Sequence, residues 1–348
     1  MIEIVFAVPG DLRTPTGGYA YARKLLTFLP ACGITVRHCA LPAGYPDPSV
    51  ADLVETAHLL SATPPGAILL IDGLAYGAMP ASLIARLDRV IVALVHHPLG
   101  LEHGLPTDRQ ATLIASEVAA LALARHVIVT SSVTRRLLLA DFNVPADKVT
   151  VAEPGTEPAA RARGTGRPFE ILAVGAVSPR KGYDILIEAL ADLTNLDWRL
   201  TIAGATDHMP GTAAALRQQI ARAGLVDRVH LAGAVDREVL GSFYDKADLF
   251  VSASLFEGYG MALAEALAHG LPLVASIGGA AIETVPEAAG LKVPPGDAVA
   301  LMKALRLMIS DPALRATCAD RAWAAGQVLP RWQDSAARVA EVLRDVAR

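Results

Sequence analysis

The sequence predicts an α/β fold in two doubly wound domains, from three features. Short apolar runs alternate with helix-like stretches along most of the chain; the runs carry many β-branched residues without in–out alternation; and the pattern stops once, between Pro154 and Pro168, before resuming. Runs that are apolar throughout belong to strands covered on both faces, which implies a mostly parallel sheet flanked by helices. At 348 residues the chain exceeds what one core usually organises, so two domains of moderate size are expected.

Taken in order, the first half offers strands at Glu3–Val8, Ile34–Val36, Ile68–Ile71, Val90–Val95, Val127–Thr130 and Val149–Val151. Helical patterns such as Tyr19–Leu29, Thr107–Ala124 and Ser131–Ala140 lie between them. Pro154–Pro168 then brings glycine, proline and charge without periodicity and reads as an interdomain linker. The second half resumes with strands at Glu170–Val174, Arg199–Ala203, Val229–Ala232, Leu249–Ser252, Pro272–Ser276 and Leu291–Val293. After Pro330, the residues Trp332, Ala336, Val339, Leu343 and Val346 recur at helical spacing and form one apolar stripe. The expected division is 1–160, 161–330 and a terminal helix over 331–348.

Composition excludes several classes. The 53% hydrophobic content is spread over short segments, and no apolar run reaches the roughly 20 residues that span a bilayer. The start, MIEIVFAVPG, has an acid where a signal peptide has basic residues. A net charge of −4 gives no general attraction to nucleic acid. Cys32, Cys39 and Cys318 leave an odd thiol and suit a reducing cytoplasm. Arg13, Arg23, Lys24, Arg135 and Arg136 are too few to predict a membrane surface.

The stretch from Asp248 to Ser276 carries the densest chemistry. It reads as a buried strand, a glycine-bearing turn, a helix from about Gly260 to His269 and a second buried strand. Gly258 and Gly260 let backbone approach a ligand, and the N–H groups of Met261 and Ala262 open the helix without intrahelical acceptors. That is an anion site at a strand's carboxyl end. Glu257 in the turn and Glu265 in the helix would repel an anion, so they read as acceptors for hydroxyl groups, or as solvated glutamates if the spacing is incidental.

Other candidates also follow strands. Arg180 and Lys181 come after Glu170–Val174, where open α/β sheets bind ligands, and an arginine fork beside a lysine point charge suits a diphosphate. His96 and His97 end the strand Val90–Val95 and precede Glu102; a histidine pair there is hard to explain by packing alone. Gly17 and Gly18 close the first strand-to-helix turn, without the glycine spacing of a nicotinamide site. Gly233–Asp236, containing Val235, is a turn after a buried strand. Gly278 and Gly279 precede Glu283. No Asp-x-Asp occurs, and no His, Asp or Glu cluster has metal-ligand spacing, so no metal and no cofactor are expected.

The run Glu257–Glu265, EGYGMALAE, is very similar to the E-x7-E motif of retaining, family 4 glycosyltransferases with the GT-B fold. The likeness extends through most of the second half and more weakly through the first. It implies two Rossmann-like domains facing a cleft and a terminal helix that returns to the first domain; from the sequence alone that helix could equally cap its own. It also implies transfer of a sugar from a nucleotide-diphosphate sugar to a hydroxyl acceptor, with retention, by front-face substitution. Glu265 would then bind ribose hydroxyls, and Glu257 the sugar. Arg180, Lys181 and the backbone at Met261 and Ala262 would hold the diphosphate, and Val235 the base. Gly17 and Gly18 would approach the donor phosphate and shape the acceptor cleft. His96, with His97 as the alternative, would face the transferred sugar, and His97 and Glu102 would lie on the acceptor side. Two other readings stay open: another GT-B enzyme, such as a sugar-nucleotide epimerase or a phosphorylase, and a nucleotide-sugar-binding partner without turnover.

Overall fold

The computed structural model describes residues 2–207 and 209–348. Two compact units emerge, one built from residues 2–155 and 330–348, the other from residues 156–329.

Among the described residues the first unit holds strands β1 (Ile2–Pro9), β2 (Ile34–Leu41), β3 (Ile68–Asp72), β4 (Ile91–Val95), β5 (His126–Val129) and β6 (Val149–Val151). They form one sheet in the order β2-β1-β3-β4-β5-β6, and every pairing is parallel. Every residue of β3 and β4 is buried, as their unbroken apolar runs require. The edge strand β2 is longer than the expected Ile34–Val36. Only Ile34 and Leu41 are buried there, and Arg37 pairs with Glu3 at 2.6 Å. One side of an edge strand can carry polar residues, and these interrupt the apolar run that marks a strand in the sequence.

The second unit repeats the plan with β7 (Phe169–Val174), β8 (Trp198–Ala203), β9 (Val229–Gly233), β10 (Leu249–Ser252), β11 (Leu273–Ser276) and β12 (Gly290–Val293). Its order is β12-β11-β10-β7-β8-β9, again parallel. In each sheet the winding direction reverses once, between β1 and β3 and between β7 and β10. In open α/β sheets ligands bind outside the carboxyl ends of the strands at such a reversal.

The segment read as a linker lies along the second unit. Ala162 N–H donates to His269 O at 2.8 Å, Arg163 N–H to Asp245 O at 2.9 Å, and Gly166 N–H to Asp248 Oδ1 at 3.0 Å. The terminal helix Trp332–Val346 belongs to the first unit. Its apolar stripe buries Trp332, Ala336, Val339, Val342 and Leu343, Trp332 meets the Tyr21 ring edge-on at 5.7 Å, and Ser335 Oγ donates to Glu153 O at 2.5 Å. Lys24 sits 5.8 Å from the Trp332 ring and Arg13 pairs with Asp11, so these two cations are engaged locally. Among the described residues no helix is long and apolar enough to cross a membrane.

Candidate active site

At the reversal point of the second sheet, the loop after β7 and the loop after β10 are bonded together. Leu255 N–H donates to Arg180 O at 2.8 Å, and Arg180 Nη1 donates to Phe256 O at 2.8 Å. Gly182, between Lys181 and the helix Tyr183–Ala191, has φ +59°, and a Cβ there would lie 2.3 Å from Ala253 O. Only glycine fits both the left-handed turn and the close approach.

This loop pairing surrounds Glu257 with cations. Its Oε1 accepts from Lys181 Nζ at 2.6 Å and from Ser254 Oγ at 2.6 Å, and its Oε2 lies 3.5 Å from Arg180 Nη1. Burial alone would raise the Glu257 carboxyl. The nearby Lys181 and Arg180 charges, with the hydrogen bonds from Lys181 and Ser254, outweigh it and hold the group at about 2. Two cations thus face one carboxylate, and the cluster keeps a positive excess.

A second loop fixes the backbone of Glu257. Glu257 N–H donates to Gly278 O at 3.1 Å, and Ala280 N–H to Glu257 O at 2.7 Å. Gly279 has φ +63°, and a Cβ on it would lie 2.4 Å from Glu257 O. The glycine pair therefore seats Glu257, while Glu283, in the short helix Ala281–Thr284, is exposed.

Gly258 lies in the turn that follows, and Gly260 caps the helix Met261–Ala268 in a left-handed conformation. The first helical hydrogen bond runs from Ala264 N–H to Gly260 O, so the Met261 and Ala262 N–H groups precede it. Glu265, half-buried in this helix, accepts from Tyr244 Oη at 2.9 Å. Burial raises its carboxyl, and the Tyr244 hydrogen bond and the Arg237 charge offset part of the rise. Val235 lies in the turn after β9, where Asp236 caps the next helix by accepting from Val239 N–H at 2.9 Å.

The residues expected from the first half gather at the carboxyl edge of the first sheet. Gly17 and Gly18 open the helix Gly17–Phe28, and a Cβ at Gly18 would lie 3.3 Å from His96 Cδ2. His96, just beyond β4, meets the Tyr21 ring edge-on at 5.3 Å and places Nε2 3.5 Å from Asp72 Oδ2. His97 Nε2 lies 3.7 Å from Glu102 Oε2, so those two candidates are also neighbours. Behind them Glu117 is 1% exposed and accepts from Leu99 N–H at 2.8 Å, which anchors the turn between His97 and Glu102.

Sequence reasoning missed Asp72, Tyr21, Ser254 and Tyr244. Asp72 left one signal, an acid ending an apolar strand and followed by glycine. The others have no mark of their own: Tyr244 and Glu265 stand 21 positions apart, and Ser254, three residues before Glu257, belongs to no motif. Among the described residues no three His, Cys, Asp or Glu side chains form a group able to hold a metal ion.

Comparison with known proteins agrees with this architecture. Residues 159–324 match the model of glycosyl transferases group 1, and residues 5–155 match the glycosyl transferase 4-like domain. A D-inositol 3-phosphate glycosyltransferase of Xylanimonas cellulosilytica is 32% identical over 173 residues, covering 49% of this chain and 41% of its own length. A lipopolysaccharide core biosynthesis mannosyltransferase of Rhizobium meliloti is 31% identical over 187 residues, covering 51% of this chain and 50% of its own. The matches thus span about half the length of these relatives or less. Among solved structures, a sucrose-phosphate synthase from Thermosynechococcus elongatus superposes with a TM-score of 0.82 at 22% identity, over 98% of both chains. An Anabaena protein, HepE, in complex with UDP-glucose superposes at 0.74 and 21% identity, over 98% of this chain and 100% of its own. With both halves matched by family models and the whole chain sharing this fold, the protein belongs to the family 4-type glycosyltransferases with the GT-B fold.

Proposed function

We propose that the protein transfers a sugar from a nucleotide-diphosphate sugar to a hydroxyl acceptor, with retention of configuration and without a metal ion. The observation that carries this reading is Glu257 seated between Lys181 and Arg180 beside the helix that carries Glu265. A diphosphate needs positive charge and N–H donors, and Arg180, Lys181, Met261 and Ala262 supply both. Phosphate oxygens would compete with Glu257 for the two cations and shift it toward the hydroxyls of the transferred sugar. Glu265 would accept from the ribose, held in place by Tyr244. Val235 would meet the base. A solved relative of the same fold binds UDP-glucose, which favours a nucleotide sugar as the donor here.

Chemistry then consists of positioning and charge stabilisation, since the leaving diphosphate gains charge as the glycosidic bond breaks. The leaving phosphate would take the acceptor proton, so no protein nucleophile is required. His96, with Gly17 and Gly18 beside it, would face the sugar, and His97 with Glu102 the acceptor. The free thiols Cys32, Cys39 and Cys318 favour the cytoplasm as the setting.

The test has three arms. A thermal-shift screen of nucleotide sugars identifies the donor through ligand-dependent stabilisation. Turnover of that donor is then followed with and without sugar acceptors in excess chelator, and the product's anomeric coupling is read by NMR. An α-linked product from an α-linked donor, formed in chelator, is expected. Loss of activity rescued by Mg²⁺ would overturn metal independence, a β-linked product would overturn retention, and conversion of donor alone to an epimer would overturn transfer.

A further inference from the structure

Asp72 has no part in the transfer proposed for this protein. It ends β3 next to β4, is 6% exposed, and its Oδ1 accepts from Leu74 N–H at 2.9 Å. Its other oxygen, Oδ2, points to His96, whose Nε2 is 3.5 Å away, buried, and without a hydrogen-bond partner among the described residues. Tyr21 meets the ring edge-on, and Gly18 leaves it room. The imidazole is thus confined, and a carboxylate faces one nitrogen.

We infer that Asp72 is a positioning residue that keeps the proton of neutral His96 on Nε2, leaving Nδ1 as a hydrogen-bond acceptor for a substrate hydroxyl. A carboxylate can only accept, so a lone pair on Nε2 would be repelled by Oδ2 while an N–H is attracted. The separation is about 0.3 Å beyond ordinary hydrogen-bond range, which a small ring rotation closes. Neutral imidazole carries one N–H, so fixing it on Nε2 commits Nδ1 to acceptance. A hydroxyl-bearing ligand suits that nitrogen. The hydroxyl's assignment to sugar or acceptor rests on the role of His96 proposed above; the tautomer does not.

Asp72→Asn gives a specific reversal. Leu74 N–H still requires an acceptor, so the amide oxygen takes the place of Oδ1 and the NH₂ turns to His96. That NH₂ donates, Nε2 must accept, and the ring proton moves to Nδ1. Long-range ¹H–¹⁵N NMR of histidine-labelled protein, with His96 assigned by its loss in His96→Ala, reads the tautomer directly at about pH 9, where imidazoles as a class are neutral. The expected result is an Nε2–H tautomer in the wild type and Nδ1–H in Asp72→Asn. Turnover in Asp72→Asn should fall about 10- to 100-fold with little change in the KM for donor, and thermal stability should stay close to wild type because Leu74 N–H keeps its acceptor. Nδ1–H in the wild type, or the same tautomer in both proteins, overturns the inference, and the wild-type spectrum decides alone if the variant does not fold. With the tautomers as expected, full activity in His96→Ala would uphold the Asp72 contact and overturn the substrate-facing role of His96.

Discussion

Lys181 places its ammonium 2.6 Å from Glu257 Oε1, with side chains only 15% and 10% exposed. The pair joins two loops that are 76 positions apart in sequence and lies at the point where the second sheet reverses. A buried carboxylate so placed keeps the cation ordered before any ligand arrives.

Lys181→Ala should slow transfer by about 10²-fold or more while affinity for the free nucleoside changes little, because a cation at the leaving group acts mainly on charge that develops in the transition state. Steady-state kinetics beside calorimetry with nucleoside and nucleoside diphosphate would separate the two effects. Wild-type turnover would reduce the pair to a structural contact.

Glu265→Gln retains size and an acceptor for Tyr244 but loses the charge. A hydrogen bond to a charged group contributes about 1.5–3 kcal/mol, so nucleotide affinity should fall roughly 10- to 150-fold. Tyr244→Phe removes the donor that holds the carboxylate and should weaken nucleotide binding in the same direction by a smaller factor. Unchanged affinity in Glu265→Gln, measured by calorimetry, would remove the ribose role.

Gly279→Ala places a methyl at φ +63° and 2.4 Å from Glu257 O, so the loop carrying Glu257 must shift. Stability should drop by roughly 2–4 kcal/mol from the left-handed strain and the clash together. Activity should fall further than the unfolded fraction accounts for, a difference visible when urea melts are compared with kinetics on folded protein.

Glu117 makes stability depend on pH. Burial raises its carboxyl from the ordinary 4.5 to about 8, although the Leu99 N–H bond works against the rise. Between those values the unfolded chain has lost the proton and the folded chain holds it, so this group makes the fold less stable as pH rises. Glu117→Gln keeps an acceptor for Leu99 and removes the titration. Relative to wild type, its stability should therefore climb from about pH 4.5 to pH 8, and a pH-independent difference in denaturation midpoints would contradict the assignment.

Much of this architecture was legible because parallel strands buried on both faces announce themselves as unbroken apolar runs. β10 and β6 fall at the expected residues, and β3 and β4 differ from expectation by a residue at one end. The tail of β2 was hidden by Arg37 and His38, which an edge strand can expose. In the site, Glu257, Glu265, Arg180 and Lys181 stood out by motif and position. Their supporting groups did not, since Tyr244 reaches Glu265 across 21 positions and Ser254, three residues before Glu257, carries no mark of its role as a donor. The pairing of Lys181 with Glu257 is of that kind too: two residues assigned to different parts of a ligand turn out to bind each other.

The docking of Trp332–Val346 on the first unit bears on how the chain comes to be folded. The first unit is built from two stretches, and the second unit is encoded between them. During synthesis the second unit can close on itself once residue 329 is free, while the first still waits for the residues that cover Tyr21 and accept the Lys24 side chain. The half made first is thus completed last, and the residues around His96 settle only after those around Glu257. A chain truncated after Leu329 and released should already protect the second unit from protease and leave the first one open to cleavage.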